Sequence, residues 1–187
     1  MDSLKKNVVV SFLGTVLDNS GQGNGRWRKW RPNVAMHQYP DFRFDRVELL
    51  IQTKFLALAE RIKADIQQVA PHTEVNFIPL EMENPWDFSE VYTKLHEWAH
   101  HYPFDIEKEN YITHITTGTH VAQICLFLLV ESHQIPSVLL QTAPPKNQQK
   151  IWSTAMSAAW SLLIWIWRVT MYWLNVWQRC AMTRFYI

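Results

Sequence analysis

A chain of 187 residues has room for one ordinary domain and can bury a hydrophobic core without disulfides or metals. Its net charge of +1 excludes a generic nucleic-acid coat or an acidic tail, so a charged partner must be met by a local patch. The two cysteines, Cys125 and Cys180, form no CxxC or zinc spacing, and the apolar run after Lys5 and Lys6 is too short for a signal-peptide core; both features point to a cytoplasmic protein.

Residues 7–13, rich in valine, predict a buried first strand, and residues 46–51 a second. Helical spacing follows over 53–69, with Phe55, Leu56, Leu58, Ala59, Ile62 and Ile66 as its apolar positions. A third strand is predicted at 73–78, between Pro71 and Pro79. The next helix, 89–102, sets Val91, Leu95, Trp98 and Tyr102 on one face, with Ser89 as its cap. A fourth strand at 111–116, an apolar helix at 119–132 and a fifth strand at 136–141 complete the pattern. Strands alternating with helices at these intervals predict parallel βαβ units: an α/β three-layer sandwich with a mainly parallel sheet flanked by helices. Composition changes near residue 150. Residues 151–187 contain no acid, glycine or proline, although much of the chain's tryptophan lies there.

In an open parallel sheet a ligand binds beyond the carboxyl ends of the strands. Three segments at such ends have suitable chemistry. In Thr116-Thr117-Gly118-Thr119-His120 the glycine permits a tight turn, and hydroxyls beside a helix N-terminus suit a phosphate; the same pattern also suits a plain hydroxyl-capped helix start. The loop over residues 14–32 carries Gly21, Gly23 and Gly25, which do not make a dinucleotide fingerprint, and then Arg26-Trp27-Arg28-Lys29-Trp30-Arg31. Cations interleaved with indoles suit single-stranded RNA, and they equally suit a basic surface whose tryptophans pack inward. The third segment, Gln141-Thr142-Ala143-Pro144-Pro145-Lys146, offers a hydroxyl and an ammonium at the same edge, or is simply a strand-ending loop. His96-Glu97-Trp98-Ala99-His100 matches H-E-x-x-H, the zinc hydrolase pattern, but falls in the later half of its helix, away from the expected crevice, and has no evident third ligand.

Residues 12–18 (Phe-Leu-Gly-Thr-Val-Leu-Asp), 26–32, 45–50, 84–88 (Asn-Pro-Trp-Asp-Phe) and 114–125 (HITTGTHVAQIC) resemble the N-terminal domain of the RtcR family, regulators of the RNA-terminal phosphate cyclase and RNA ligase operon. The resemblance runs over residues 5–148 and implies a CARF domain, a Rossmann-like sensor. It implies a ligand derived from RNA, such as an end bearing a 2′,3′-cyclic phosphate, and a sensor that restrains an AAA+ ATPase acting on sigma-54 RNA polymerase. The implied pocket takes Gly14, Thr15 and Asp18 after the first strand, and Arg26, Trp27 and Lys29 from the basic loop. It adds Thr116, Thr117, Gly118, Thr119 and His120, with Thr142 and Lys146 at its margin. No cofactor, metal or catalytic residue is implied, and pairing into a homodimer is implied only by analogy with related sensors. Neither a G-x-x-x-x-G-K-[ST] phosphate loop nor a DNA-binding helix pair is found in this sequence.

The domain is expected to span 1–150, followed by an aberrant tail over 151–187. The apolar stretch from Ser153 is interrupted at Arg168, short of the about 20 residues a membrane span needs, although an interfacial anchor remains an alternative. A frameshift explains the composition. Tryptophan has one codon, TGG, and every isoleucine codon begins AT, so a one-base shift makes the Trp165–Ile166 junction GAT, an aspartate. The shifted frame through Leu162 to Trp167 can read Ile-Asp-Leu-Asp-Leu, a strand of the kind the family implies there.

Overall fold

Three consecutive valines, Val8, Val9 and Val10, are fully buried, which requires cover on both faces of the strand that carries them. That strand is β1 (Lys6–Phe12), the centre of the fold in a computed structural model that describes residues 5–39 and 42–144. After it come α1 (Pro32–Ala35), β2 (Arg46–Ile51), α2 (Leu56–Val69), β3 (Glu74–Pro79), α3 (Phe88–His101), β4 (Glu109–His114), α4 (His120–Glu131) and β5 (Ser137–Leu140). All pairings are parallel and the strand order is β3-β2-β1-β4-β5. The order reverses between β1 and β4, and their carboxyl ends flank the crevice where such sheets take ligands.

Alternation along β1 and β2 sends successive side chains into two cores. Val9, Val47, Leu49 and Ile51 meet Leu58, Ala59, Ile62 and Ile66 of α2 on one face. On the other, Val10 and Leu50 meet Val91 and Leu95 of α3 and Cys125, Leu126 and Leu129 of α4. The sandwich expected from the strand–helix alternation is therefore present, with strand limits moved by one or two residues.

Two local expectations are corrected. The helix expected from residue 53 begins as a 3-10 turn, Thr53–Phe55, before α2 proper. Ser89 does not cap α3; Asp87 does, its Oδ1 accepting from the Glu90 amide at 2.8 Å. Ser89 lies one residue inside the helix, where its hydroxyl cannot stand at the cap position, while Asp87 keeps the extended backbone a cap requires.

At the amino edge of the sheet Arg46 donates to both oxygens of Glu109 (2.6 and 2.8 Å) and to Glu48 (2.7 Å), and Tyr102 also donates to Glu48 (2.8 Å). The hydrogen bonds from Arg46 hold the Glu109 carboxyl below the usual carboxylate range. This cluster satisfies charges that β2 and β4 carry inside the fold, at the end of the sheet opposite the crevice.

Candidate ligand site at the carboxyl edge

The turn between β4 and α4 is shaped by Gly118 and Thr119. Gly118 has φ +93°, and a Cβ there would meet Phe12 at 3.3 Å and Ala122 at 3.4 Å, so a side chain would meet both backbone strain and close neighbours. Thr119 caps α4 through Oγ1, which accepts from the Ala122 amide at 3.1 Å and donates to the Pro85 carbonyl at 2.8 Å. Both readings of this segment therefore coexist: the helix is hydroxyl-capped, and its positive end faces the crevice between β1 and β4. Gly118 and His120 are exposed, whereas Thr116 and Thr117 are buried beneath them.

Across the crevice, the loop after β1 is closed by Asp18. Its buried carboxylate accepts from the Gly14 amide (2.8 Å), the Asn33 amide (3.0 Å) and the Asn33 side chain (2.5 Å). The tight approach explains Gly14, where a Cβ would lie 2.7 Å from Asp18 Oδ2 and 2.9 Å from Thr117 Cγ2. Burial pushes the Asp18 carboxyl up to about 6 despite these hydrogen bonds. Asp18 was expected to face the ligand; its oxygens instead face the protein. Asp18→Asn replaces an acceptor by a donor opposite donors, and is expected to cost about 1–3 kcal/mol in urea unfolding. Thr15, at the rim of the same loop, is exposed.

Two arginines of the basic loop, Arg26 and Arg31, are engaged with the protein, whereas Arg28 and Lys29 are exposed. Arg26 donates to both oxygens of Asp65 on α2 (Nε at 2.9 Å, Nη2 at 2.9 Å), and Arg31 donates to Asp65 from the other side. Both guanidiniums lie over the Trp27 ring, at 5.4 and 5.1 Å, and Trp27 packs on the α2-side core. The expectation that Arg26 and Trp27 meet RNA is corrected accordingly: a buried acid on the helix draws the arginine in, and the indole fills the space between the arginines. Lys29 remains exposed.

Beneath the crevice lies a polar network that sequence reasoning missed. Ser11 Oγ is 2.6 Å from Asn33 Oδ1, 3.0 Å from His114 Nδ1 and 3.3 Å from Thr117 Oγ1. His114 Nε2 is 3.0 Å from Thr142 Oγ1, and the Thr142 amide donates to Thr116 Oγ1 at 2.8 Å. Thr142 thus belongs with the turn, as expected, although it is a partner of the turn's support; Lys146 and the tail from residue 151 lie outside the described residues. The signal available was a serine closing the valine run of β1 and an imidazole at the last position of β4.

The H-E-x-x-H residues do not converge. His96 stacks on Tyr92, His100 is exposed, and His101 Nδ1 lies 2.7 Å from the Glu97 carbonyl. Among the described residues no three His, Cys, Asp or Glu side chains are grouped to hold a metal ion, and no helix there is long and apolar enough to cross a membrane.

A family model described as RtcR, Regulator of RNA terminal phosphate cyclase, matches residues 5–159. The chain belongs to the RtcR family. The transcriptional regulatory protein RtcR of Escherichia coli (strain K12) is 48% identical over 147 residues, which are 79% of this chain and 28% of that protein. This RtcR-family chain therefore spans little more than a quarter of that relative's length. Among solved structures, Enterococcus italicus Csm6 bound to cyclic hexa-2′-fluoro-hexa-dAMP matches with a TM-score of 0.54 at 16% identity, over 75% of this chain and 35% of that one. Can2 from Sulfobacillus thermosulfidooxidans in complex with cyclic tetra-adenylate matches with a TM-score of 0.46 at 17% identity, over 73% and 32%. The likeness to Csm6 is one of fold, and it agrees with the parallel α/β, Rossmann-like arrangement expected from the sequence.

Proposed function

We propose that this domain is a sensor for an RNA-derived ligand, an RNA end or 2′,3′-cyclic phosphate, seated on the turn between β4 and α4. The observation that carries the reading is the placement of this turn: the positive end of α4 opens onto the crevice where the strand order reverses, at a glycine whose missing side chain leaves the backbone approachable. Membership in a family of regulators of RNA terminal phosphate cyclase supports an RNA end as the ligand, and a cyclic oligonucleotide held by Csm6 supports nucleotide chemistry on this fold. Gly118, Thr119 and His120 would contact the ligand, with Thr15 and Lys29 approaching from the β1 loop. Asp18, Arg26, Trp27, Thr116, Thr117 and Thr142 would shape the site from behind. In a protein where this domain is joined to an AAA+ ATPase that serves sigma-54 RNA polymerase, occupancy would relieve restraint on that ATPase.

The test is a fluorescence titration of the 187-residue chain with a labelled short oligoribonucleotide ending in a 2′,3′-cyclic phosphate, beside the same oligomer with a 3′-hydroxyl and beside cyclic tetra-adenylate. The cyclic-phosphate end is expected to bind tightest, with affinity falling as salt rises. Gly118→Val should weaken it at least about tenfold, the equivalent of about 1.4 kcal/mol. Preference for cyclic tetra-adenylate would replace the RNA end by another nucleotide, and binding of none of the three would remove the reading.

A further inference from the structure

The polar network under the turn has one consistent assignment of protons. Asn33 Nδ2 faces two acceptors, the Phe12 carbonyl at 2.9 Å and Asp18 Oδ2, so its Oδ1 is turned toward Ser11 and must accept. The Ser11 hydroxyl therefore donates to Asn33 and has no proton left for His114. Thr117 spends its own proton on the Phe12 carbonyl at 2.6 Å. His114 Nδ1 must then be the donor to Ser11 Oγ, and in the neutral ring Nε2 is bare and accepts from Thr142 Oγ1 at 3.0 Å, the shorter of that hydroxyl's two approaches, Thr116 Oγ1 lying at 3.3 Å. Burial, followed by the field of His37, holds the His114 imidazole down to about 4, in keeping with a neutral ring.

This fixed ring ties β4 to β1 and to the segment that follows β5. It is completely buried on β4, touches β1 through Ser11, and reaches Thr142, two residues after β5 ends at Leu140. Thr142 is also paired to Thr116, its amide donating at 2.8 Å and its carbonyl 3.4 Å from Thr116 Oγ1. The ladder contact from the Ile115 amide to the Leu140 carbonyl, 2.9 Å, precedes them. We infer that His114 is a positioning residue that locks the segment leaving β5 to the β4–α4 turn, so that the turn and the exit from the sheet hold one arrangement together. If the turn is the ligand site, as proposed above, occupancy would be reported at the point where the chain leaves the sheet. The linkage itself does not depend on that reading.

Amide hydrogen exchange by NMR on the 187-residue chain, without ligand, tests the linkage. Thr142→Val keeps the shape and removes the hydroxyl donor. It is expected to speed exchange of the hydrogen-bonded Ile115, Ala122 and Gln123 amides that frame the turn at least about tenfold while leaving β1, β2 and β3 at wild-type rates. Ser137→Ala breaks a different β4–β5 contact, with Thr113 at 2.6 Å, and should leave the turn unchanged. His114→Gln, which retains polar atoms, should disturb Thr142 exchange less than His114→Phe. In the wild type, imidazole ¹⁵N shifts should show Nδ1 protonated and Nε2 bare at pH 7. Wild-type exchange in the Thr142→Val turn, equal acceleration by Ser137→Ala, or an Nε2–H ring would each overturn the inference. No ligand enters the measurement, so its failure is distinct from failure of the RNA titration.

Discussion

Asp65→Ala is expected to destabilise the protein by about 3–5 kcal/mol, the range seen when one partner of a buried ion pair is removed. Asp65 and Arg31 are each only 2% exposed at the side chain, so the substitution strands a guanidinium inside the fold. Arg26, 23% exposed, also loses its bidentate partner but can turn to water, and Arg26→Ala should cost distinctly less. Burial pushes the Asp65 carboxyl up, but the hydrogen bonds from Arg26 and Arg31 outweigh it and hold the group below its ordinary range. Urea unfolding followed by circular dichroism measures the effect. If charge stranding is the cause, combining Asp65→Leu with Arg31→Met should recover most of the loss, because an apolar pair of similar volume leaves no buried charge. A loss below about 1 kcal/mol for Asp65→Ala would show that the basic loop does not depend on this anchor.

The second large effect is loss of stability in acid. Burial, then the field of His72, lowers His37 from 6.5 to about 4, and His114 is lowered from the same value to about 4. Between these limits the folded state binds fewer protons than the unfolded chain. Their contribution is thus fully present above 6.5 and is lost as pH falls toward 4. Asp18 acts oppositely: its rise from 3.8 to about 6 means that stability is gained as pH falls from about 6. At about 1.4 kcal/mol per pH unit, two histidines against one aspartate leave a net loss on the order of 4 kcal/mol between pH 7 and pH 4. Asp65 and Glu109, both held low, extend the decline below that window. Urea midpoints across this range should fall steadily. His37→Phe should flatten part of the slope, since its Nε2 is buried without a partner. A stability that is level or rises toward pH 4 would contradict this assignment.

The strand–helix alternation was legible because burial on two faces imposes runs such as Val8–Val10, while amphipathic spacing marks helices such as α2. The β4–α4 turn was legible for the same local reason: Gly118 and Thr119 perform turn and cap chemistry with neighbours in sequence. The basic loop was not, because the charge that draws it inward lies on another helix, with Arg26 and Asp65 separated by 39 positions. A hint was present. Asp65 falls among Ile62 and Ile66 on the buried side of α2, where an acid requires a cation. The Ser11–His114–Thr142 network was hidden for a related reason: each member is a single polar residue whose partners come from a different strand, and only the parallel register of β1, β4 and β5 brings them together.

In the proposed function a nucleotide-like anion sits on the positive end of α4 at the β1/β4 crevice. Amide chemical-shift mapping of the 187-residue chain, titrated with the cyclic-phosphate oligoribonucleotide, tests it most directly. Saturable shifts are expected on Gly118, Thr119, His120 and Val121, with smaller ones at Thr15 and Thr142, and Gly118→Val should move their midpoints to ligand concentrations at least about tenfold higher. Shifts centred instead on the α3 segment from His96 to His101, or on Arg46 and Glu109 at the opposite edge, would contradict it.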